Sequence, residues 1–264
     1  SKRLTALLSG FGHAVSWMSR AWVSATALLL GAALWEWLSG FYDPIILPDP
    51  RAVLSKLVEL HKEGILTEAL SITLTRACIG FGMAATFGIL IGSLAGRFHT
   101  VSLIARPYIT ILLGTPPIAW LVLAMIWFGT GYGTPVFTVF VTCVPILFAG
   151  AMQGVKTLDR EYLQLARAYK LPLRMRLCDL YLPHMFAYII PAVVTALGVS
   201  WKVAIMAELL STSDGVGAAL SNTRTQLDTA GTFAWLIASV STLLMVEYLM
   251  LEPIKNHTEK WRGI

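Results

Sequence analysis

From Pro107 to Val155 the chain carries no Asp, Glu, Lys or Arg, a run of 49 positions in a protein of 264 residues. A helix crosses the ~30 Å hydrocarbon core of a bilayer in about 20 apolar residues. This one run is therefore long enough for two crossings, with Gly129-Thr130-Gly131-Tyr132-Gly133 as the turn between them. Soluble domains carry about a quarter charged residues, whereas this chain has 13%, with 56% hydrophobic residues and a mean hydropathy of +0.68. Such a composition excludes a disordered chain. A net charge of +5 spread over so apolar a sequence also gives no basic face for nucleic acid.

Six stretches meet the spanning criterion, approximately 22–41, 71–95, 107–128, 134–153, 185–207 and 233–251. A membrane barrel would show ~10-residue segments of alternating polarity, and none occurs, so the expected class is an all-α integral membrane protein. The first stretch is longer than a secretory apolar region and lacks a small-residue cleavage pattern, so it is expected to be retained. Lys and Arg concentrate on the cytoplasmic side of membrane proteins. With the N-terminus inside, the inner segments hold Lys2, Arg3, Arg20, Arg97, Arg106, Lys156, Arg160, Arg167, Lys170, Arg174, Arg176, Lys255, Lys260 and Arg262, 14 of the 20 basic residues. The outer segments hold four, Arg51, Lys56, Lys62 and Arg224, and two more, Arg76 and Lys202, lie within spans. Both termini are therefore expected in the cytoplasm.

Three cysteines (Cys78, Cys143, Cys178) and five scattered histidines show no metal-ligand spacing, so no metal site is expected. No Gly-x-x-x-x-Gly-Lys-Ser/Thr loop occurs to cradle a nucleotide phosphate. If the function of the chain needs ATP, another chain must handle it.

The inner segment 154–183 is too long for a simple connection. Leu158, Tyr162, Leu165, Ala166 and Tyr169 recur at helical spacing, Asp159 and Glu161 suit the first turn, and Pro172 suits a second helix start. Two short helices joined near Lys170-Leu171 are expected. Periodicity leaves two readings open: a basic amphipathic pair lying on the anionic leaflet, or a docking element for a soluble partner.

Four segments carry a family likeness. They are Ile46-Leu47-Pro48-Asp49-Pro50; Ser71 to Arg76 with Gly80-Phe81; Pro116-Pro117-Ile118-Ala119-Trp120-Leu121 followed by Ile126 to Gly131; and Gly198-Val199-Ser200-Trp201-Lys202 followed by Ala207-Glu208-Leu209-Leu210 and Gly215-Val216-Gly217. Together they resemble the membrane permease subunit of a type I ATP-binding-cassette importer, in its nitrate/sulfonate/taurine branch. The resemblance implies a bacterial inner-membrane protein that does no chemistry itself. It works with two ATPase subunits that hold ATP and Mg, a second permease copy (a homodimer by default), and an extracytoplasmic solute-binding protein. It makes segment 154–183 the coupling loop that docks on the ATPase, through Glu161, Gln164, Leu165, Ala166, Lys170, Pro172 and Pro183, and it makes segment 208–230 the outer gate. One departure stands out: Lys170 replaces the glycine of the family pattern. Lysine takes positive φ less readily than glycine, so this joint is expected to be built differently.

Several residues inside the spans carry the functional expectations. Pro116-Pro117 removes two backbone donors at mid-membrane depth, and with Thr115 and Trp120 it marks either a path-lining kink in the third span or a purely structural bend. Lys202, beside Trp201, has three open readings: a lysine reaching the outer headgroups, a cation lining an anion path, or a partner to a carboxylate. Glu208 is a gate residue, a helix-capping residue or a solvated residue at the interface. Glu36 and Arg76 sit at similar depth and are expected to pair. The expected function is the translocation path for a small anion such as nitrate, a sulfonate, taurine or bicarbonate. The alternative is a self-sufficient secondary transporter or channel, which would favour inverted repeats or a relay of intramembrane carboxylates; neither is evident.

Overall fold

The computed structural model describes Trp22 and residues 26–158 and 160–247. The basic residues of both termini (Lys2, Arg3, Arg20, Lys255, Lys260, Arg262), Asp159 and the last positions of the sixth stretch lie outside the described residues. Every described element is helical. In chain order they are α1 (Thr26–Ser39), α2 (Pro50–Lys62), α3 (Ile65–Arg97), α4 (His99–Gly114), α5 (Pro117–Phe128), α6 (Gly133–Lys156), α7 (Arg160–Ala168), the short α8 (Leu173–Met175), a π-helical turn (Arg176–Tyr181), α9 (Leu182–Ser211), α10 (Val216–Thr225) and α11 (Thr229–Val246).

Among the described residues, four helical stretches are long and apolar enough to cross a membrane: α3, α6, Cys178–Ser211 and α11. A fifth crossing is counted if α4 and α5 are taken together, and α1 is apolar but shorter. The third stretch, expected as one kinked helix from about Pro107, instead begins at His99 and is broken, with α4 and α5 meeting at 99°. The cause is local. Neither Pro116 nor Pro117 has an N–H to give the carbonyls of Leu112 and Leu113, and a proline disfavours helical backbone in the residue before it. Thr115 and Pro116 accordingly take extended conformations, ψ 124° and 142°.

The central packing is set by small residues. Ala77, Gly80, Ala84, Gly88 and Gly92 form a buried line along α3 that lies directly on α6. A Cβ at Gly80 would stand 2.7 Å from the Val136 carbonyl oxygen, and one at Gly88 2.9 Å from the Leu147 Cβ. Residue numbers rise together along this seam, so α3 and α6 are parallel, whereas Gly150 faces Ala192 and Gly154 faces Met185, so α6 and α9 are antiparallel. Lipid is as apolar as leucine, so helix association here depends on close van der Waals contact, which small residues permit.

A second core, of Val53, Leu60, Ala69, Val216, Leu220, Ala234 and Trp235, joins α2, α10 and the start of α11 at one end of the bundle. Asp49 caps α2 by accepting the Arg51 N–H at 3.2 Å, and Pro50 occupies its first turn. The other end holds the last turns of α3 and α6 and residues 157–158 and 160–181. There the expected second short helix is absent as a separate unit. The helical run that opens after Pro172 continues through the π turn into α9 without a break.

Candidate functional site

At the α2/α10 end, the chain buries an ion pair. Arg76 donates from Nη1 to Glu208 Oε1 at 2.9 Å and to the Asp214 carbonyl at 3.1 Å, and from Nη2 to Asp214 Oδ1 at 2.7 Å. Arg76 and Glu208 are 2% and 0% exposed, which is tolerable only because the remaining oxygens are also satisfied. The Thr73 hydroxyl donates to Glu208 Oε2 at 2.7 Å and accepts the Val216 N–H at 2.9 Å, and the Gly217 N–H reaches Oε2 at 3.2 Å. Gly215 has φ 92°, and a Cβ there would lie 2.5 Å from the Glu208 carboxylate, so only glycine fits that turn. Tyr132, in the turn before α6, covers the Arg76 guanidinium at 5.3 Å from its ring centre. One network thus binds α3, the end of α9, the 212–215 turn and the start of α10.

Two expectations are corrected here. Arg76 does not pair with Glu36, which instead meets Arg51 at 3.4 Å on an exposed surface. Nor is Glu208 solvated at the interface, because the helix α3 arginine lies directly across from it. Beside the network, a cavity of about 410 Å³ is rich in hydroxyls, from Thr130, Ser211, Thr212, Ser213 and Ser221.

Next to the 99° break, the Thr115 hydroxyl donates to the Ile111 carbonyl at 2.8 Å, and the Ala119 N–H donates to the Pro116 carbonyl at 3.0 Å. Trp120, one turn into α5, is half-buried, and its indole N–H is buried without a partner among the described residues. Trp201 and Lys202 part company. The Trp201 ring is buried between α9 and α11, donating its Nε1–H to the Ser239 carbonyl at 3.1 Å, so it belongs to the subunit's core and cannot line a path outside it. Lys202 points the other way, exposed on a face of α9 that also carries Thr195 and Pro191. No carboxylate pairs with it among the described residues.

At the opposite end, α7 carries Glu161, Gln164, Leu165 and Ala166. Ala166 is buried while Leu165 and Tyr169 are exposed, and with Leu171, Met175 and Leu180 they border a groove of about 380 Å³. The joint after α7 overturns the expectation drawn from Lys170. Lys170 takes φ 51°, the left-handed conformation a glycine would take, and the Leu171 N–H closes on the Ala166 carbonyl at 3.0 Å. This is the helix-ending bond that reaches back five residues. Pro172 precedes the next helical turn, Arg176 ties it back through Nε to the Leu171 carbonyl at 2.8 Å, and Pro183 sits in the first turn of α9.

A family model for the binding-protein-dependent transport system inner membrane component matches residues 88–251. The chain belongs to this family. Its curated relatives include the taurine transport system permease protein TauC of Escherichia coli (strain K12), 27% identical over 226 residues, which cover 84% of this chain and 82% of TauC. The nitrate import permease protein NrtB of Synechococcus elongatus is 26% identical over 195 residues, 70% of each chain. Among solved structures, the inward-facing MetNI methionine ABC transporter aligns at TM-score 0.57 and 14% identity, covering 72% of this chain and 92% of that one. An amino acid ABC transporter solved with histidines aligns at TM-score 0.57 and 16% identity, covering 79% of this chain and 98% of that one. The permease is thus a non-catalytic membrane subunit of the nitrate/sulfonate/taurine branch of ABC importers, with the type I permease fold, and ATP hydrolysis belongs to separate subunits.

The matched region holds the helix break, the loop and the gate segment, yet part of the permease's buried network comes from Thr73 and Arg76, which precede it. Sequence reasoning missed Thr73, Asp214 and Tyr132 as partners of the charge pair. The signal available was chemical: two opposite charges, Arg76 and Glu208, each at the same end of a long apolar helix. It also missed the α3 seam, although the line from Ala77 through Gly80, Ala84 and Gly88 to Gly92 was legible as small residues three or four apart.

Proposed function

We propose that the permease forms the translocation path for a small anion, a sulfonate, nitrate or bicarbonate, handed over by an extracytoplasmic binding protein. In this reading two copies pair in the inner membrane with both termini in the cytoplasm. The groove beside Leu165, Ala166 and Tyr169 receives an ATPase subunit that holds ATP and Mg, with Glu161, Gln164, Lys170, Pro172 and Pro183 on the same chain segment. Relatives named for taurine, aliphatic sulfonates, nitrate and bicarbonate support the anion.

The observation that carries the reading is Lys202. An exposed lysine about 14 Å along the axis from the end of α9, at 1.5 Å per residue, costs at least ~2.5 kcal/mol in a lipid-facing span. Its face is not covered by any of the described residues, so a water-filled path between two copies removes that cost and puts a cation where an anion passes. The broken pair at Pro116-Pro117 adds irregular backbone, which membrane proteins keep where it lines a cavity, with Thr115 and Trp120 flanking it. Glu208 holds the gate segment to α3, and its own carboxylate is buried away from the path.

The test is transport in proteoliposomes containing the permease, its ATPase and its binding protein. Lys202→Met is expected to lower anion uptake and substrate-stimulated ATP hydrolysis at least tenfold, while Lys202→Arg keeps most of both. Unchanged uptake in Lys202→Met overturns the role given to this lysine. A permease that moves its anion with no ATPase retained in detergent overturns the coupled reading in favour of a secondary transporter.

A further inference from the structure

The first turns of α4 and the last turns of α6 enclose a groove of about 380 Å³ that the transport reading does not use. Its lining combines two chemistries. Arg106 from α4 and Lys156 from α6 stand exposed at the rim, and the Lys156 ammonium is drawn across the groove by a 3.1 Å bond to the Ser102 hydroxyl. The apolar part of the lining is the exposed Leu103, the half-buried Ile109 and the buried Phe148.

Among the described residues the rim cations have no counter-charge. The sequence contains no Asp or Glu between Glu68 and Asp159, and Asp159 lies outside the described residues. Among the described residues no carboxylate pairs with Arg97, Arg106 or Lys156. His99, which opens α4, also borders the groove, and Phe98 before it offers no side-chain acceptor to the first-turn N–H groups. The positive end of the α4 dipole lies at the groove beside the negative C-terminal ends of α3 and α6, so the net positive charge here is that of the side chains. The groove lies where the end of α3, the start of α4 and the end of α6 come together.

We infer that this groove is a binding site for an anionic phospholipid, with the phosphate diester held between Arg106 and Lys156 and one acyl chain laid along Leu103, Ile109 and Phe148. The combination selects the occupant. A free small anion would satisfy the two cations but leave the apolar walls facing water, and a zwitterionic lipid would fill the walls but bring its own ammonium to a rim that already carries two cations. Basic pockets between membrane helices on the cytoplasmic side bind anionic headgroups by this logic. The bond from Lys156 to Ser102 then has a purpose, since it keeps the ammonium over the groove rather than in bulk water.

Native mass spectrometry tests this on the full chain, purified in detergent with whatever partner subunits it retains, delipidated, and given phosphatidylglycerol, phosphatidylcholine or inorganic phosphate. One phosphatidylglycerol per permease is expected to survive activation that strips phosphatidylcholine. The Arg106→Gln/Lys156→Gln pair should weaken that retention roughly tenfold or more, while Arg106→Lys/Lys156→Arg preserves it. Should the glutamine pair not fold, Leu103→Trp fills the apolar wall without touching charge and is expected to lose the same adduct. Equal retention of the two lipids, retention undiminished in both the glutamine pair and Leu103→Trp, or displacement of phosphatidylglycerol by inorganic phosphate overturns the proposal. The last outcome would mark the groove as a small-anion site.

Discussion

The two ends of the bundle handle charge in opposite ways. At the α2/α10 end, Arg76, Glu208 and Asp214 are drawn into one network, with Thr73 and the Gly217 N–H completing it. At the other end, Arg97, Arg106 and Lys156 face outward with no carboxylate among the described residues. The first arrangement fixes one geometry, because a buried charge that loses its partner is heavily penalised. The second leaves the cations available to whatever anion the surroundings supply. The end with internal partners is built for rigidity, and the end without them is the one to which the proposals above assign lipid and a partner subunit.

The comparison is broken most severely at Glu208. Glu208→Leu leaves the Arg76 guanidinium buried beside an apolar side chain and is expected to cost roughly 3–5 kcal/mol, read as loss of a monodisperse peak on gel filtration in detergent. Arg76→Met combined with Glu208→Leu should recover much of that loss, since no unpaired charge remains. If the double variant is no better than the single one, the network owes its stability to something other than charge compensation. Asp214→Asn is expected to cost about 1 kcal/mol, because its side chain is half exposed.

Between the two ends lies the α3–α6 seam, where a side chain cannot be accommodated. Gly88→Leu is expected to destabilise by roughly 1–3 kcal/mol through overpacking, seen as a lowered melting temperature. The same substitution at Gly82, which has nothing within 4 Å of a Cβ, should leave the melting temperature almost unchanged.

A smaller effect of opposite sign is expected at two helix joints, one at each end. Lys170 and Leu227 both hold positive φ, 51° and 57°, and each is followed by an N–H that reaches back five residues, Leu171 to Ala166 and Asp228 to Thr223. The left-handed conformation costs an ordinary residue roughly 1–2 kcal/mol, so Lys170→Gly and Leu227→Gly should each raise the melting temperature by a few degrees. The smallest effect belongs to Glu36→Gln. That exposed pair with Arg51 contributes at most about 1 kcal/mol, and its removal should be close to undetectable in the same assay.

Much of this protein could be read before any coordinates. The charge-free run placed the helices in a membrane because hydrocarbon tolerates little else. Pro116-Pro117 announced a break because two successive donors were missing. Its size was not legible, since the angle between α4 and α5 depends on what each half packs against. Lys170 misled in an instructive way. Glycine is the cheapest residue in a left-handed joint, yet the bond closing α7 and the packing of Ala166 are enough to hold a lysine there.

What the sequence by itself determined is therefore the solvent, the helical class and the places where helices stop, because these follow from transfer free energy and from which backbone groups can donate. Only the tertiary structure decided who meets whom. Arg76 and Glu208 are separated by more than a hundred residues, Glu36 stood at the right depth to compete, and nothing local in the chain chooses between them. The choice comes from the small-residue seam, which brings α3, α6 and α9 together in a single register, so that Arg76 faces Glu208 and Glu36 is left to Arg51.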